Sequence, residues 1–165
     1  MNTHVYLIGM PGCGKSAVGR ELAGLLEMPF VDLDAEIERD AGRTIPQIFR
    51  EQGEERFRDL EREALERVAS GPAAIVACGG GVPLRPENQE LIRGTGSAVW
   101  LIVPLASLRR RIRDVLDSRP LVKDPLDLER IYRERDSVYR TVADHEVAAD
   151  DDPRTVAKAV VEVIA

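Results

Sequence analysis

Gly9-Met10-Pro11-Gly12-Cys13-Gly14-Lys15-Ser16 is an octapeptide close to the N-terminus of the chain. It fits the pattern G-x-x-x-x-G-K-[ST], a loop whose backbone N–H groups surround phosphate oxygens while the lysine reaches the β- and γ-phosphates and the hydroxyl ligates Mg²⁺. Glycines permit this geometry because they turn tightly and have no Cβ to keep a phosphate away from the backbone. The octapeptide therefore predicts a nucleoside triphosphate site.

The segments on either side of this loop supply the context that the pattern requires. An apolar run at residues 5–8 precedes it, and apolar residues follow at helical spacing over residues 17–26. Strand, loop and helix in this order bring a helix N-terminus, with its partial positive charge, to the phosphate. The alternative is a chance match in a glycine-rich turn, and the flanking strand and helix argue against it.

The composition is that of an ordinary globular protein: 165 residues, 44% apolar and 32% charged, with a formal net charge of −6. We expect one domain over residues 1–165, since a chain of this length can bury a substantial core. Only residues 109–113 form a basic run, so nucleic acid is a poor candidate partner. No apolar segment reaches the roughly 20 residues of a membrane helix, so we expect no membrane partner.

Cysteine use and the N-terminal residues indicate the compartment. Cys13 and Cys78 are far apart in sequence and do not form a secreted disulfide framework. The N-terminus leads directly into a predicted strand, without the basic region and apolar core of a signal peptide. We therefore expect a cytoplasmic protein, and we expect it to be a monomer.

Apolar runs alternate with segments of helical periodicity along the chain. The predicted strands lie at 5–8, 30–31, 73–77, 97–103 and, weakly, 146–149. The predicted helices lie at 15–27, 35–40, 45–49, 54–70, 86–94, 105–116, 128–143 and 155–164, with a mobile loop at 117–127. Continuous apolar strands alternating with helices predict an α/β fold of three layers, with a parallel sheet covered on both faces. Ligands bind beyond the carboxyl ends of such strands, where the octapeptide, Asp32 with Asp34, and Gly79-Gly80-Gly81 all lie, so these segments can converge on one crevice.

The second predicted strand, which begins at Phe30-Val31, ends in Asp32-Leu33-Asp34, where a phosphate-loop enzyme could take its magnesium-organising acid. Residues two apart in an extended segment face the same side, so both carboxylates could point into one crevice. One could organise Mg²⁺ and its waters while the other meets the acceptor. Asp34 could instead be the N-cap of the following helix.

Other residues have both an ordinary and a functional interpretation. Gly79-Gly80-Gly81 could be a permissive turn, although three glycines are costly in unfolded-chain entropy and favour close approach of a ligand. Arg58 and Glu61 could be a solvated ion pair worth ~0.3 kcal/mol. Arg119, in the predicted mobile loop, could close over the γ-phosphate or be a plain surface residue.

In this order and spacing, the motifs resemble those of the shikimate kinases, small phosphate-loop kinases of aromatic amino-acid biosynthesis, over nearly the whole chain. Besides the octapeptide, the resemblance rests on Phe30-Val31-Asp32-Leu33-Asp34 with Ile37-Glu38, Ile48-Phe49 before Gly53-Glu54, Phe57-Arg58 with Glu61, Gly79-Gly80-Gly81, Arg119-Pro120-Leu121, and Arg135 ahead of Tyr139. Each motif is weak by itself, whereas the ordered set is highly specific.

The resemblance implies a five-stranded parallel sheet of the nucleoside-monophosphate kinase type. It implies transfer of the ATP γ-phosphoryl group to the 3-hydroxyl of shikimate, giving shikimate 3-phosphate and ADP. Residues 31–61 would be a substrate-binding segment and about 112–127 a mobile lid. The nucleotide contacts would come from Gly12, Cys13, Gly14, Lys15, Ser16, Ala17, Arg111 near the adenine, and Arg119 on the lid.

The resemblance also implies roles around the acceptor and the metal. Ser16 and Asp32 would hold Mg²⁺, Asp32 through water. The residues expected to take part in catalysis are Lys15, Asp34 and Arg119, of which Asp34 would bind the reacting hydroxyl and could act as its base. The shikimate site would consist of Asp34, Arg58, Gly79, Gly80, Gly81 and Arg135, with both arginines on the carboxylate and Glu61 orienting Arg58.

Three positions depart from the family pattern. Ala17 stands where a threonine usually contacts the α-phosphate, Asp136-Ser137 replaces the more frequent Asn-Pro, and Cys13 is an unusual loop residue. If its side chain is open to solvent, Cys13 should be alkylated rapidly, because the loop and Lys15 favour a thiolate, and ATP should protect it. The alternative is an inward-packed, inert thiol. We expect slow labelling of Cys78, which ends a predicted buried strand.

Three rival functions share parts of this pattern. A gluconate kinase would have the phosphate loop without the Arg58, Glu61 and Arg135 set aimed at a carboxylate. A GTP-binding switch protein would need an Asn-Lys-x-Asp motif, and neither Asn2 nor Asn88 lies in one. An adenylate-type kinase would need a base-binding pocket where the carboxylate arginines lie.

Overall fold

The computed structural model of the chain describes residues 3–112 and 125–165. It contains one sheet of five parallel strands: β1 (His4–Ile8), β2 (Phe30–Asp32), β3 (Ile75–Ala77), β4 (Gly96–Ile102) and β5 (His145–Ala148). Their spatial order is β2-β3-β1-β4-β5. The five-stranded parallel sheet that we expected is confirmed.

Helices follow the strands and flank the sheet. They are α1 (Lys15–Leu26), α2 (Leu33–Ala41), α3 (Ile45–Ala69), α4 (Pro86–Thr95), α5 (Leu105–Ile112), α6 (Pro125–Val142) and α7 (Pro153–Ile164). Helix α1 packs on α7, while α3 packs on α4. Among the residues that the structure describes, none of the helices combines the length and the apolar character that spanning a membrane requires.

The position of β1 explains where the phosphate loop lies. This central strand pairs with β3 on one side and β4 on the other, and all five of its residues are buried, as expected in a covered parallel sheet. In the register, Ala77 of β3 lies opposite both Leu7 of β1 and Asp32 of β2. Three strands therefore end at the same level, and the segments that follow them meet at one edge of the sheet.

The segment after β2 differs from the expected extended conformation. Asp32 is the N-cap of α2, because its Oδ1 accepts hydrogen bonds from the backbone N–H groups of Asp34 and Ala35 at 3.1 and 3.3 Å. The helix begins at Leu33, so Asp34 lies in its first turn. The predicted strand-like alternation of Asp32 and Asp34 is therefore wrong, and Asp32 rather than Asp34 caps the helix.

Two helix boundaries also depart from the prediction. The expected helices at 45–49 and 54–70 form one element, α3, with a kink at Gly53, whose φ of 82° is outside the helical region. Helix α6 begins at Pro125, three residues before the expected start at 128, since proline is well suited to the first position of a helix. Most of the predicted lid, including Arg119, lies outside the described residues.

Candidate active site

A cleft of about 730 Å³ opens at the carboxyl ends of β1, β2 and β3. Its walls come from the phosphate loop, the start of α2, the start of α3, the segment after β3, and Arg111 of α5. The sequence predicted convergence of the loop, the acid pair and the triple glycine on one crevice. The structure brings them together, and the site-lining residues among them are Gly12, Gly14, Lys15, Ser16, Ala17, Asp32, Asp34, Gly79 and Gly80.

The phosphate loop has the backbone conformation that its glycines predict. Gly12 and Gly14 have φ values of 82° and 94°, in the left-handed region that side chains disfavour. Lys15, the first residue of α1, is buried, and its Nζ donates to the carbonyl oxygens of Gly9 and Met10 at 2.7 and 2.8 Å. Lys15 thus holds the two ends of the loop together through hydrogen bonds. The loop lies at the N-terminus of α1, where the helix dipole favours binding of a phosphate.

Cys13 packs into this loop rather than facing the cleft. Its side chain is 1% exposed, and its Sγ lies 3.6 Å from Lys15 Nζ. The condition for rapid alkylation, an open side chain, is therefore not met, and the inward-packed alternative describes the thiol. Cys78 is also buried, at 2% exposure, and burial raises the pKa of its thiol.

Ser16 and Asp32 both line the cleft and offer a hydroxyl and a carboxylate that could bind a metal ion. Ser16 Oγ donates to Asp32 Oδ2 at 2.5 Å. The other carboxylate oxygen of Asp32 accepts from the α2 backbone, so both of its oxygens are occupied by the protein. Hydroxyl and carboxylate oxygens are ligands that Mg²⁺ prefers, so these two residues fit the magnesium site that the sequence predicts here.

Charged side chains lie close to each of the three consecutive glycines. A Cβ at Gly79 would lie 2.8 Å from Asp34 Oδ1 and equally close to Glu61 Oε2. At Gly80 it would lie 2.9 Å from Arg135 Nη1, and at Gly81 it would collide with the Arg58 guanidinium, 2.5 Å from Cζ. We call residues 79–81 the glycine turn. Its lack of side chains lets two carboxylates and two arginines converge.

Glu61 and Arg58 form a largely buried ion pair. Arg58 Nη1 donates to Glu61 Oε1 at 2.6 Å, with the two side chains 11% and 2% exposed. A second, more exposed partner, Glu54, accepts from Arg58 Nη2 at 3.3 Å. The alternative of a solvated surface pair is therefore wrong, and Glu61 orients the Arg58 guanidinium.

The pKa of Glu61 reflects the crowding of charges around the glycine turn. Burial raises this pKa from 4.5 to about 7, the Arg58 charge opposes the rise, and the Asp34 carboxylate adds to it. Arg135, 6% exposed on α6, also lowers it. Asp34, Arg58, Glu61 and Arg135, which come from three helices, therefore lie within electrostatic reach of one another.

Arg111 lies at the other end of the cleft, against the phosphate loop. Its Nη1 donates to the Gly12 carbonyl at 3.4 Å and its Nη2 to Asp150 Oδ1 at 3.1 Å. The choice of Arg111 as a residue near the adenine stays a prediction. Ala17, exposed at the start of α1, lines the same end and offers no hydroxyl.

Sequence reasoning missed several residues of the cleft wall. Arg20, Ala77 and Cys78 line it without having been predicted to do so. Four more lining residues were expected only as part of the substrate-binding segment 31–61 and not singled out: Glu38, Thr44, Ile45 and Pro46. Thr44, Ile45 and Pro46 form the start of α3, where Thr44 Oγ1 accepts a hydrogen bond from the Gln47 N–H in a capping box. The sequence pattern of a helix N-terminus predicts where the helix begins, but it does not indicate that the same residues also line a cleft.

The family model and the curated relatives that match this chain all indicate the same family. A family model described as shikimate kinase matches residues 11–165. The shikimate kinase of Sulfurihydrogenibium sp. is 36% identical over 98% of this chain and 95% of its own length. The shikimate kinase of Thioalkalivibrio sulfidiphilus is 40% identical over 98% of this chain and 85% of its own length.

Solved structures agree with these relatives. The shikimate kinase from Acinetobacter baumannii in complex with shikimate has a TM-score of 0.95 at 36% identity, covering 99% of this chain and 93% of that chain. A gluconokinase from Sinorhizobium meliloti has a TM-score of 0.57 at 16% identity, covering 95% and 88%, a likeness that shows a shared fold alone. The extent of the family match, together with relatives of this identity and coverage, leads to one conclusion: the chain belongs to the shikimate kinase family.

Proposed function

We propose that this protein transfers the γ-phosphoryl group of ATP to the 3-hydroxyl of shikimate, giving shikimate 3-phosphate and ADP. One observation carries the proposal: the glycine turn brings Asp34, Arg58 and Arg135 together beside the phosphate loop. Two arginines suit a carboxylate and an aspartate suits a hydroxyl. An acceptor with both groups could therefore lie with its hydroxyl towards the γ-phosphate.

The nucleotide would be held by the phosphate loop and its neighbours. Backbone N–H groups of residues 12–17 and the Lys15 ammonium would bind the phosphates, while Arg111 would lie near the adenine. Arg119 would reach the γ-phosphate from the lid, about 112–127. Ser16 and Asp32 would hold Mg²⁺, which supplies positive charge to the phosphoryl oxygens when bound.

The acceptor would be held by residues on either side of the glycine turn. Arg58, oriented by Glu61, and Arg135 would form charge-assisted hydrogen bonds to the shikimate carboxylate. Asp34 would accept the proton of the 3-hydroxyl as that oxygen bonds to the γ-phosphorus, and the bond from phosphorus to the ADP oxygen would break. Most of the catalysis then comes from position and charge.

The same proposal extends to the organisation of the protein. Residues 1–165 would act as a single kinase domain in which residues 31–61 form the substrate-binding segment. Asp34, Arg58 and Glu61 all lie within that segment, which supports it. We further propose a cytoplasmic, monomeric enzyme that requires neither a membrane nor nucleic acid.

A coupled assay of ADP release tests this function. Purified protein with Mg-ATP is offered shikimate, gluconate and AMP as alternative acceptors, at matched concentrations. Of the three acceptors, we expect only shikimate to raise the rate of ADP release above the rate without acceptor. Release that depends on gluconate or AMP, and not on shikimate, would reject the proposal in favour of that acceptor.

A further inference from the structure

The phenol of Tyr139 lies under the glycine turn and is not used in the mechanism above. Tyr139 is fully buried, and its hydroxyl donates a hydrogen bond of 2.7 Å to the carbonyl oxygen of Gly80, 59 positions earlier in the chain. Gly80 has no side chain to hold it in place. The hydrogen bond from Tyr139 of α6 therefore restricts the backbone of Gly80, which as a glycine would otherwise have unusual conformational freedom.

Arg135 and Tyr139 approach Gly80 from the same helix. They are four residues apart on α6, so they lie on one face of it. The Arg135 guanidinium covers the Gly80 Cα, at a distance that leaves no room for a Cβ, while the Tyr139 hydroxyl holds the carbonyl. One turn of α6 thus fixes two sides of the same glycine.

The surroundings of the phenol keep it in place as a donor. Its ring lies 6.0 Å from that of Trp100 on β4. Burial raises the pKa of Tyr139 to about 12, while Arg135 opposes the rise, so the hydroxyl keeps its proton at neutral pH. The protonated hydroxyl can therefore donate its hydrogen bond to the Gly80 carbonyl at neutral pH.

We propose that Tyr139 is a positioning residue that joins the glycine turn to Arg135, so that both are preorganised for an acceptor carboxylate. The inference rests on the proposed function, because it assumes that Arg135 and the glycine turn bind the acceptor. Its consequence is specific. Loss of the hydroxyl should weaken acceptor binding, through Gly80 and Arg135, without affecting the nucleotide.

Tyr139→Phe removes the hydroxyl and keeps the ring. The matched control is Tyr6→Phe, because Tyr6 is equally buried and its hydroxyl also makes one 2.7 Å hydrogen bond, to Thr95 Oγ1. For Tyr139→Phe we expect the shikimate KM to rise about tenfold, with kcat within a factor of about two and the ATP KM unchanged. For Tyr6→Phe we expect all three constants to match the wild type.

A double-mutant cycle with Arg135→Lys shows whether Tyr139 acts through Arg135. If it does, the effects of the two substitutions on shikimate kcat/KM will be less than additive, because each disturbs the same contact. Strictly additive effects would contradict the link.

The remaining outcomes separate this inference from the proposed function. A wild-type protein that does not phosphorylate shikimate would refute the function itself. An active wild type with equal shikimate KM values for Tyr139→Phe and Tyr6→Phe would refute only the positioning role. A Tyr139→Phe protein that does not fold, when Tyr6→Phe does, would also refute it by assigning the hydroxyl to stability alone.

Discussion

At the scale of single residues, Asp34 is the group on which the proposed chemistry most depends. It lies in the first turn of α2, lines the cleft, and faces Gly79 beside Glu61. Asp34→Asn should lower kcat by about 10²–10⁴, the usual range for losing a general base, since the amide cannot take the proton. The ATP KM should stay within a factor of about two, because the phosphates are held by another segment. Steady-state kinetics with both substrates varied measures the two effects.

Glu36→Gln is the control for Asp34→Asn, since Glu36 lies in the same turn and pairs with Arg39 at the surface. It should leave both constants at the wild-type values. Near-normal turnover by the Asn variant would remove the assigned role and leave Asp34 as an acidic residue at a helix N-terminus.

Glu61 should give the protein a distinctive dependence of stability on pH. Its pKa is about 7 in the folded protein against an ordinary 4.5, so the folded state binds its proton more tightly than the unfolded state. This contribution to stability is complete below pH 4.5 and is lost as the pH rises to about 7. Relative to Glu61→Gln, the wild type should therefore lose unfolding free energy over this window, by roughly 3 kcal/mol at most.

Urea unfolding of both proteins at several pH values measures this difference. Glu54→Gln serves as the control for losing a carboxylate partner of Arg58, because Glu54 is the exposed member of that group. A gap between wild type and Glu61→Gln that stays constant from pH 4.5 to 7, or changes with the opposite sign, would contradict the assignment.

Cys13 should be unreactive despite its position in the phosphate loop. Its side chain is 1% exposed, so iodoacetamide should label it slowly, at a rate similar to that of Cys78. Mass-spectrometric mapping with and without Mg-ATP measures this, and labelling in urea provides the fully open reference. Rapid labelling in the native protein that Mg-ATP suppresses would support the open thiol and refute the inward-packed one.

At the scale of elements, the glycine turn lies between the cleft and α3, because Gly79 and Gly80 line the cleft and Gly81 contacts Arg58 of α3. Gly81 has a φ of −91°, which any residue can adopt, but a Cβ there would displace the Arg58 guanidinium. Gly81→Ala should therefore raise the shikimate KM by about tenfold to a hundredfold, the loss of one charge-assisted hydrogen bond, with the ATP KM unchanged. The free energy of unfolding should also fall, by about 1–3 kcal/mol, because the displaced Arg58 Nη1 is the donor to the buried Glu61 carboxylate.

Gly94→Ala is the control for this substitution, because a Cβ at this glycine of α4 would meet no atom within 4 Å. It should leave the shikimate KM unchanged. Kinetics and urea unfolding of both variants give the comparison. An unchanged shikimate KM in Gly81→Ala would show that the turn does not govern the position of Arg58.

The elements also show where sequence patterns are sufficient and where they are not. Most helix and strand positions were predictable from apolar periodicity. The conformation after β2 was not, because both Asp32 and Asp34 are good capping residues and only the hydrogen bonds decide between them. For residues 30–34, an extended strand and a helix cap at Asp32 predict different directions for the Asp34 side chain.

At the scale of the whole molecule, the meeting of distant segments was predictable in part. The carboxyl ends of parallel strands meet, so the phosphate loop and the acid pair could be placed in one crevice from sequence. The contact of Arg58 and Arg135 with successive glycines required the order of the strands and the packing of α6, which periodicity does not specify. The burial of Glu61, and with it the raised pKa, also arises only from this packing.

The proposed function requires that the acceptor carboxylate bind Arg58 and Arg135, which lie against Gly81 and Gly80. The most direct measurement compares kcat/KM for shikimate and for its methyl ester, which keeps the three hydroxyls and lacks the charge. Two charge-assisted hydrogen bonds of about 1.5–3 kcal/mol each predict at least a ~100-fold lower kcat/KM for the ester. Turnover of the ester at the same kcat/KM as shikimate would contradict the claim.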